Sequence, residues 1–251
     1  MRNFFRKLHR WLGLLMALQI IAWMASGLYF SLVPISEIRG EHLTRPPAKL
    51  ETAELASLSP PGDVAALLNA QLGKDWTVDG LKPVSRDGQI LWRVEGESGG
   101  EGFARLVAAD GRQVLPMLTE QEVLLHAQAL LLNPAKAASV NWIEQAPAGS
   151  EIRGRSLPVW RVDFLEPESL SLYIHPWTGD LLARRTDRWR IFDFLWMLHI
   201  MDFDTRDDFN HPLLQIAAAL GLIIALSGVV FWAMTTRLFR RKKRVPSIPV
   251  M

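Results

Sequence analysis

Residues 189–232 read WRIFDFLWMLHIMDFDTRDDFNHPLLQIAAALGLIIALSGVVFW. From Leu213 to Met234 there is no charged side chain, and a helix of that length, rising about 1.5 Å per residue, crosses the roughly 30 Å of hydrocarbon in a bilayer. An aromatic segment carrying His199 and a charged elbow, Asp202 to Asp208, precede it. The aromatic segment, Trp189 to Phe203, gives only about 22 Å of helix. It is too short to span and is expected to lie along the outer surface of the bilayer.

A second apolar stretch sits at the other end of the chain. Leu12 to Val33 carries no charge and is interrupted only by residues such as Gln19 and Ser26. A cleavable signal has an apolar core of about 7 to 15 residues, so the stretch reads as an uncleaved anchor. Small residues mark one face of each span: Ala217, Gly221, Ala225 and Gly228 on the second, Gly13, Ala17 and Gly27 on the first. Such stripes let helix backbones approach closely in lipid. They suit packing of the spans on each other, a homodimer or a membrane partner.

Charge sets the orientation. Arg2, Arg6, Lys7 and Arg10 precede the first span, and Arg237 and Arg240 to Arg244 follow the second, with no acid in either tail. The segment between them holds 18 Lys and Arg against all 26 Asp and Glu, a net charge of −8. By the positive-inside rule both termini are expected in the cytoplasm and the acidic middle outside. The expected location is a bacterial inner membrane, with the middle in the periplasm. The basic tails fit anionic lipid, not nucleic acid. Cysteine is absent, which excludes a disulfide framework and thiolate chemistry.

The pattern divides the chain into a basic tail (1–11), a first span (12–33), a proline-rich irregular linker (34–61), an outer domain (62–188), an interfacial aromatic helix with its elbow (189–211), a second span (212–235) and a basic tail (236–251). In the outer domain, Asp63 to Leu72 has helical apolar spacing, and QILWRVE (89–95) and GFARLVA (102–108) alternate as paired strands before the Asp110-Gly111 turn. The order then recurs. Glu120 to Leu132 reads as a helix capped by Thr119, Ser139 to Glu144 as a short strand, and LPVWRVDFL (157–165) and SLSLYIH (169–175) as a hairpin ending at Trp177-Thr178-Gly179-Asp180. Trp92-Arg93-Val94 matches Trp160-Arg161-Val162. The expected fold is α+β, with both helices on one antiparallel sheet.

Pro158-Val159-Trp160-Arg161-Val162-Asp163, the strand through Tyr173 and the turn His175-Pro176-Trp177-Thr178-Gly179-Asp180-Leu181 resemble the PepSY domain, although His175 stands where that family usually has an acid. Leu8-His9-Arg10-Trp11-Leu12-Gly13 and Leu198-His199 through Trp232 resemble the membrane helices of PepSY-associated transmembrane proteins. The resemblance implies a non-enzymatic accessory or regulator in iron or siderophore uptake or membrane redox, acting on a membrane or periplasmic partner. It also implies two other roles: a haem-binding component of a membrane ferric reductase, and an inhibitor of secreted peptidases.

For the haem role the candidate ligands of a haem b are, in order, His199, His211 and His9. His199 lies among Phe192, Phe194, Trp196 and Phe203, where a flat apolar ring system is covered. His211 begins the second span. His9 is on the opposite face, about 30 Å away, so its participation requires a dimer or another protein. His42, His126 and His175 lack metal-ligand spacing. Asp202, Asp204, Asp207 and Asp208 lack the glycine and distal Glu of a calcium loop. They read as a solvated elbow, with the run Arg184, Arg185, Arg188 and Arg190 as its expected ion-pair partner. Zinc-protease, phosphate-loop, nucleophile-elbow and dinucleotide motifs are missing.

Overall fold

The computed structural model describes the backbone of residues 2–73 and 75–235, and within these the side chains from residue 10 to residue 233 except 231. The tail expected over 236–251 lies outside the described residues. Contacts divide the chain into a helical unit, Met1–Tyr29 with Phe194–Met251, and an α+β unit, Phe30–Asp193.

Two long helices dominate the helical unit: α1 (Arg2–Leu32) near the amino end and a later one, α7 (Pro212–Thr235). Their stretches Arg10–Leu32 and Pro212–Val230 are long and apolar enough to cross a membrane, with only 11% of each buried. That exposure favours lipid over a protein core. A soluble core helix hides its apolar side chains, whereas Leu14, Leu18, Ile223 and Val229 are each more than half exposed. The pair is consistent with a two-pass membrane protein in a lipid bilayer. The two helices meet at Gly221, where an added Cβ would lie 3.3 Å from Met16 Cε and 3.8 Å from Trp23 Cζ3. Ala217, one turn earlier, is buried. Gly13, Gly27 and Gly228, the other glycines of the predicted stripes, have nothing within 4 Å of that position.

In the α+β unit the proline-rich linker is not wholly irregular. It holds the short helices α2 (Ile35–Ile38) and α3 (Thr52–Leu55) and a 3-10 turn, Glu41–Leu43. A first repeat follows: helix α4 (Pro61–Leu72), then β1 (Trp76–Arg86), β2 (Gln89–Ser98) and β3 (Glu101–Ala108) as an antiparallel three-stranded sheet. The second repeat has α5 (Glu120–Leu130), then β4 (Ala137–Ile143), β5 (Val159–Phe164), β6 (Ser171–Ile174) and β7 (Leu181–Arg185) as an antiparallel four-stranded sheet. The expected fold class is thus observed as mixed α+β. The single sheet is corrected to two, because the edge of β3 is occupied: Val107 bridges Val114, and Ala108 N–H donates to Gln113 O at 2.8 Å.

Each helix buries its apolar stripe on its own sheet. Val64 and Leu68 of α4 pack on Val94 and Val107. Val123 and Ala127 of α5 pack on Val162, Phe164, Leu172 and Ile174. Thr119 caps α5 by accepting from Glu122 N–H, while the Glu122 carboxylate accepts from Thr119 N–H at 2.8 Å. The repeated tryptophans do the same work in both halves. Trp92 Nε1 donates to Ser59 O and Trp160 Nε1 to Leu118 O, each at 3.1 Å, so each fixes the chain two residues before its helix. Ser59 N–H in turn donates to Ala109 O and Leu118 N–H to Pro176 O, each carbonyl lying just past the second strand of its hairpin.

Candidate functional site

The aromatic segment forms helix α6 (Asp187–Ile200). The last carbonyls of a helix have no partner within it, and here side chains from α1 and from the residue before α7 supply one. Gln19 Nε2 donates to Leu198 O (3.2 Å), Trp23 Nε1 to His199 O (2.7 Å) and His211 Nε2 to Ile200 O (2.9 Å). The end of α6 therefore packs on the part of α1 that lies within the candidate span. Gln19, a polar interruption in the sequence, is a cap.

The His199 ring stands against Ser26. Ser26 Oγ donates its one proton to Ala22 O at 2.7 Å, so its lone pair accepts from His199 Nδ1, also at 2.7 Å. Trp196 stacks on the imidazole, with planes 6° apart and centroids at 6.3 Å. Ser26 is fully buried. An N–H bond at one ring nitrogen fixes the tautomer and aims the other, the arrangement that orients metal-bound histidines.

His211 is placed differently. Its Nε2 is spent on Ile200 O, and its Nδ1 accepts Leu214 N–H at 3.4 Å, as the amino-terminal cap of α7. Both of its ring nitrogens are thus engaged within the protein. The side chain of His9 lies outside the described residues. Of the three candidate ligands, the described side chains are those of His199, held by Ser26, and His211, held by Ile200 O and Leu214 N–H.

The acidic elbow is built around one residue. Asp202 is buried, and its carboxylate accepts the backbone N–H groups of Asp204, Thr205, Asp207 and Asp208 at 3.0 to 3.1 Å and the Thr205 hydroxyl. Burial alone raises its pKa, but the Thr205 hydroxyl and those N–H donors win and hold it well below the usual carboxylate range. Among the described residues no three His, Asp or Glu side chains gather to hold a metal ion. The outer arginines have partners within the α+β unit. Arg188 pairs with Glu37 and Glu168, Arg190 with Glu151 and Asp187, and Arg184 Nε donates to Thr44 Oγ1.

Two of the three histidines set aside for lack of metal spacing, His126 and His175, sit together at the turn that joins the repeats. His126 is buried between Asp87 Oδ1, 2.8 Å from Nδ1, and Gly179 O, 2.8 Å from Nε2. Arg93 pairs with Asp180, and the Arg105 guanidinium lies 4.4 Å over the Trp177 ring. His175 Nδ1 accepts Thr178 N–H at 3.1 Å, the role a carboxylate plays in such turns. The imidazole therefore replaces the acid of the resembled pattern without losing its hydrogen bond. Residue spacing could not reveal this cluster, since its partners are 39 to 87 residues apart.

No family model, curated protein or solved structure matches this chain. The fold, the spans and the geometry above are what bear on its function.

The turn makes stability depend on pH. Burial lowers the His175 pKa, Arg93 and Arg105 push the same way, and Asp180 opposes them. A histidine that is harder to protonate when folded stabilises the fold fully above its unfolded value, about 6.5, and loses that contribution as pH falls toward the lower folded value. His175→Asn keeps an acceptor for Thr178 N–H and removes the titration. Chemical unfolding of the full chain between pH 7.5 and 5, as about the accessible range, is expected to show wild type losing stability relative to His175→Asn on acidification. Parallel profiles would contradict the assignment.

Proposed function

We propose that this chain is a two-pass protein of a bacterial inner membrane, with both termini cytoplasmic and the α+β unit periplasmic. It acts as a non-enzymatic accessory or regulator of the PepSY type, in iron or siderophore uptake or in membrane redox. The paired apolar helices support the membrane setting, and the basic residues outside both spans support the orientation. The repeated helix-and-hairpin order, with its Trp-Arg-Val strands, supports the PepSY reading.

The observation that carries a binding role is the outer edge of β4. It ends its sheet, and its sequence, AASVNWI, has no charge or proline. Natural sheets protect open edges with such residues, and β1, which ends the other sheet, has Asp79, Lys82 and Pro83. An unprotected edge accepts an extended partner segment through backbone hydrogen bonds. A photoreactive side chain at Asn141, exposed on β4, is expected to capture a membrane or periplasmic protein in native membranes, with a yield reduced by Ala138→Lys. A reporter active only in the periplasm, fused after residue 150, is expected to be active. A silent reporter, or no adduct from β4, contradicts the reading. A peptidase in the adduct would select the inhibitor role.

One observation favours a second reading, the haem-binding component of a ferric reductase: the Ser26–His199 hydrogen bond that orients the imidazole. His199 is then one axial ligand, and the other comes from His9 of a second copy or from another protein. Protein made with ample haem is expected to show a Soret band that shifts with dithionite and disappears in His199→Ala. No band contradicts this reading, and a band that survives the substitution excludes His199.

A further inference from the structure

Strand β4 ends its sheet, and the hydrogen bonding of the neighbouring strands fixes which of its backbone groups face out. Phe164 N–H donates to Leu170 O at 2.8 Å, so Phe164 and, by alternation, Val162 and Trp160 of β5 turn their backbone groups to β6. Asp163, Arg161 and Val159 therefore turn theirs to β4, where they pair with Ser139, Asn141 and Ile143. That leaves the N–H and C=O groups of Val140 and Trp142 pointing away from the sheet. Among the described residues no strand or bridge lies on that edge. The register skips one residue between Ala137 and Ser139, a bulge at the start of the strand that leaves 139–143 regular.

The charges flanking β4 select its occupant. Lys136 comes immediately before the strand and Glu144 immediately after it, and both are exposed. Glu144 accepts the Trp142 Nε1–H at 2.9 Å, and among the described residues neither Lys136 nor Glu144 is in an ion pair. When two copies of one strand pair antiparallel, the start of each lies beside the end of the other, so Lys136 of each copy meets Glu144 of the other. A parallel pairing would set like charges together. Residue 140 is the midpoint of 136 and 144, and Val140 is one of the residues whose backbone groups face out. A two-fold axis beside Val140 therefore lets the copies exchange N–H···O bonds there. Ser139 then stands opposite Asn141, a polar pair, and Trp142 opposite the small side chains of Ala137 and Ala138.

We propose that β4 is the interface of a symmetric dimer of this chain, in which the four-stranded sheets of two copies join antiparallel about Val140 into one sheet of eight strands. The proposal rests on the binding role of the β4 edge given above and names its partner as a second copy. The two fail separately: an adduct at Asn141 that holds a different protein and never a second copy removes the dimer and keeps the binding role, whereas no adduct at all removes both.

The chain has no cysteine, so a single introduced one can form a disulfide only between copies. The test is oxidative crosslinking of the full chain in native membranes. In Val140→Cys the two Cα atoms would be about 5.5 Å apart, within the roughly 4.4 to 6.8 Å that a disulfide spans, and a covalent dimer is expected. Asp79→Cys, exposed on the edge strand β1 of the other sheet, is expected to stay monomeric. Adding Lys136→Glu to Val140→Cys sets like charges at both ends of the interface. It is expected to lower the dimer yield about 10-fold, since an exposed ion pair is worth about 1.4- to 5-fold and the substitution acts twice in a symmetric dimer. Adding Glu144→Lys as well reverses both pairs and is expected to restore the yield. Both charge variants alter exposed side chains and are expected to keep the melting temperature of Val140→Cys. No dimer from Val140→Cys, an equal dimer from Asp79→Cys, or a yield that Glu144→Lys does not restore would overturn the proposal.

Discussion

The ion pair between Arg93 and Asp180 joins two halves that have little reason to be stable apart. Each repeat has its own small core, Val64, Leu68, Val94 and Val107 in one and the larger α5 cluster in the other. Domains of this size bury too small a fraction of their surface to be comfortable alone. The turn from His175 to Asp180 closes the second hairpin and brings its polar groups to the first sheet. Asp180 takes Arg93, Gly179 O takes His126, and Trp177 takes Arg105. Glycine is required at 179 because φ is +73° and an added Cβ would lie 2.9 Å from Arg86 Cδ and 3.3 Å from His126 Nε2.

The parts of this fold that were legible in the sequence are those set by local pattern. Alternation at QILWRVE, the Thr119–Glu122 capping box and the charge-free runs all depend on neighbours within a few residues, and each formed the expected element within a residue or a few. The sheet count was not legible, because it turned on Val114 filling the edge of β3, and nothing in the period-two pattern says which edge a loop residue will take. Partners of the arginine run within the α+β unit were not legible for a related reason. Glu37 and Glu151 reach it from far along the chain.

The candidate site follows the same division. Aromatic spacing and position drew attention to His199, but its partner Ser26 is 173 residues away and was visible only as a small residue in a span. Gln19 was read as an interruption, and together with Trp23 it caps a helix end, because unpaired carbonyls at such a position are costly. His211 was weighed between ligand and helix start, and it hydrogen-bonds Ile200 O and Leu214 N–H at the start of α7. In the α+β unit the polar side chains at the joining turn hold the two sheets together.

The claim on which this account most depends is that the joining turn makes one cooperative body of two repeats. Native-state hydrogen exchange of the full chain measures it directly, through the opening free energies of Val94 in β2 and Val162 in β5. The two are predicted to share one value in wild type and to separate in Asp180→Ala, with Val94 falling further, by about 1–3 kcal/mol for the loss of a charged hydrogen bond. Different values in wild type, or no separation in the variant, would contradict it.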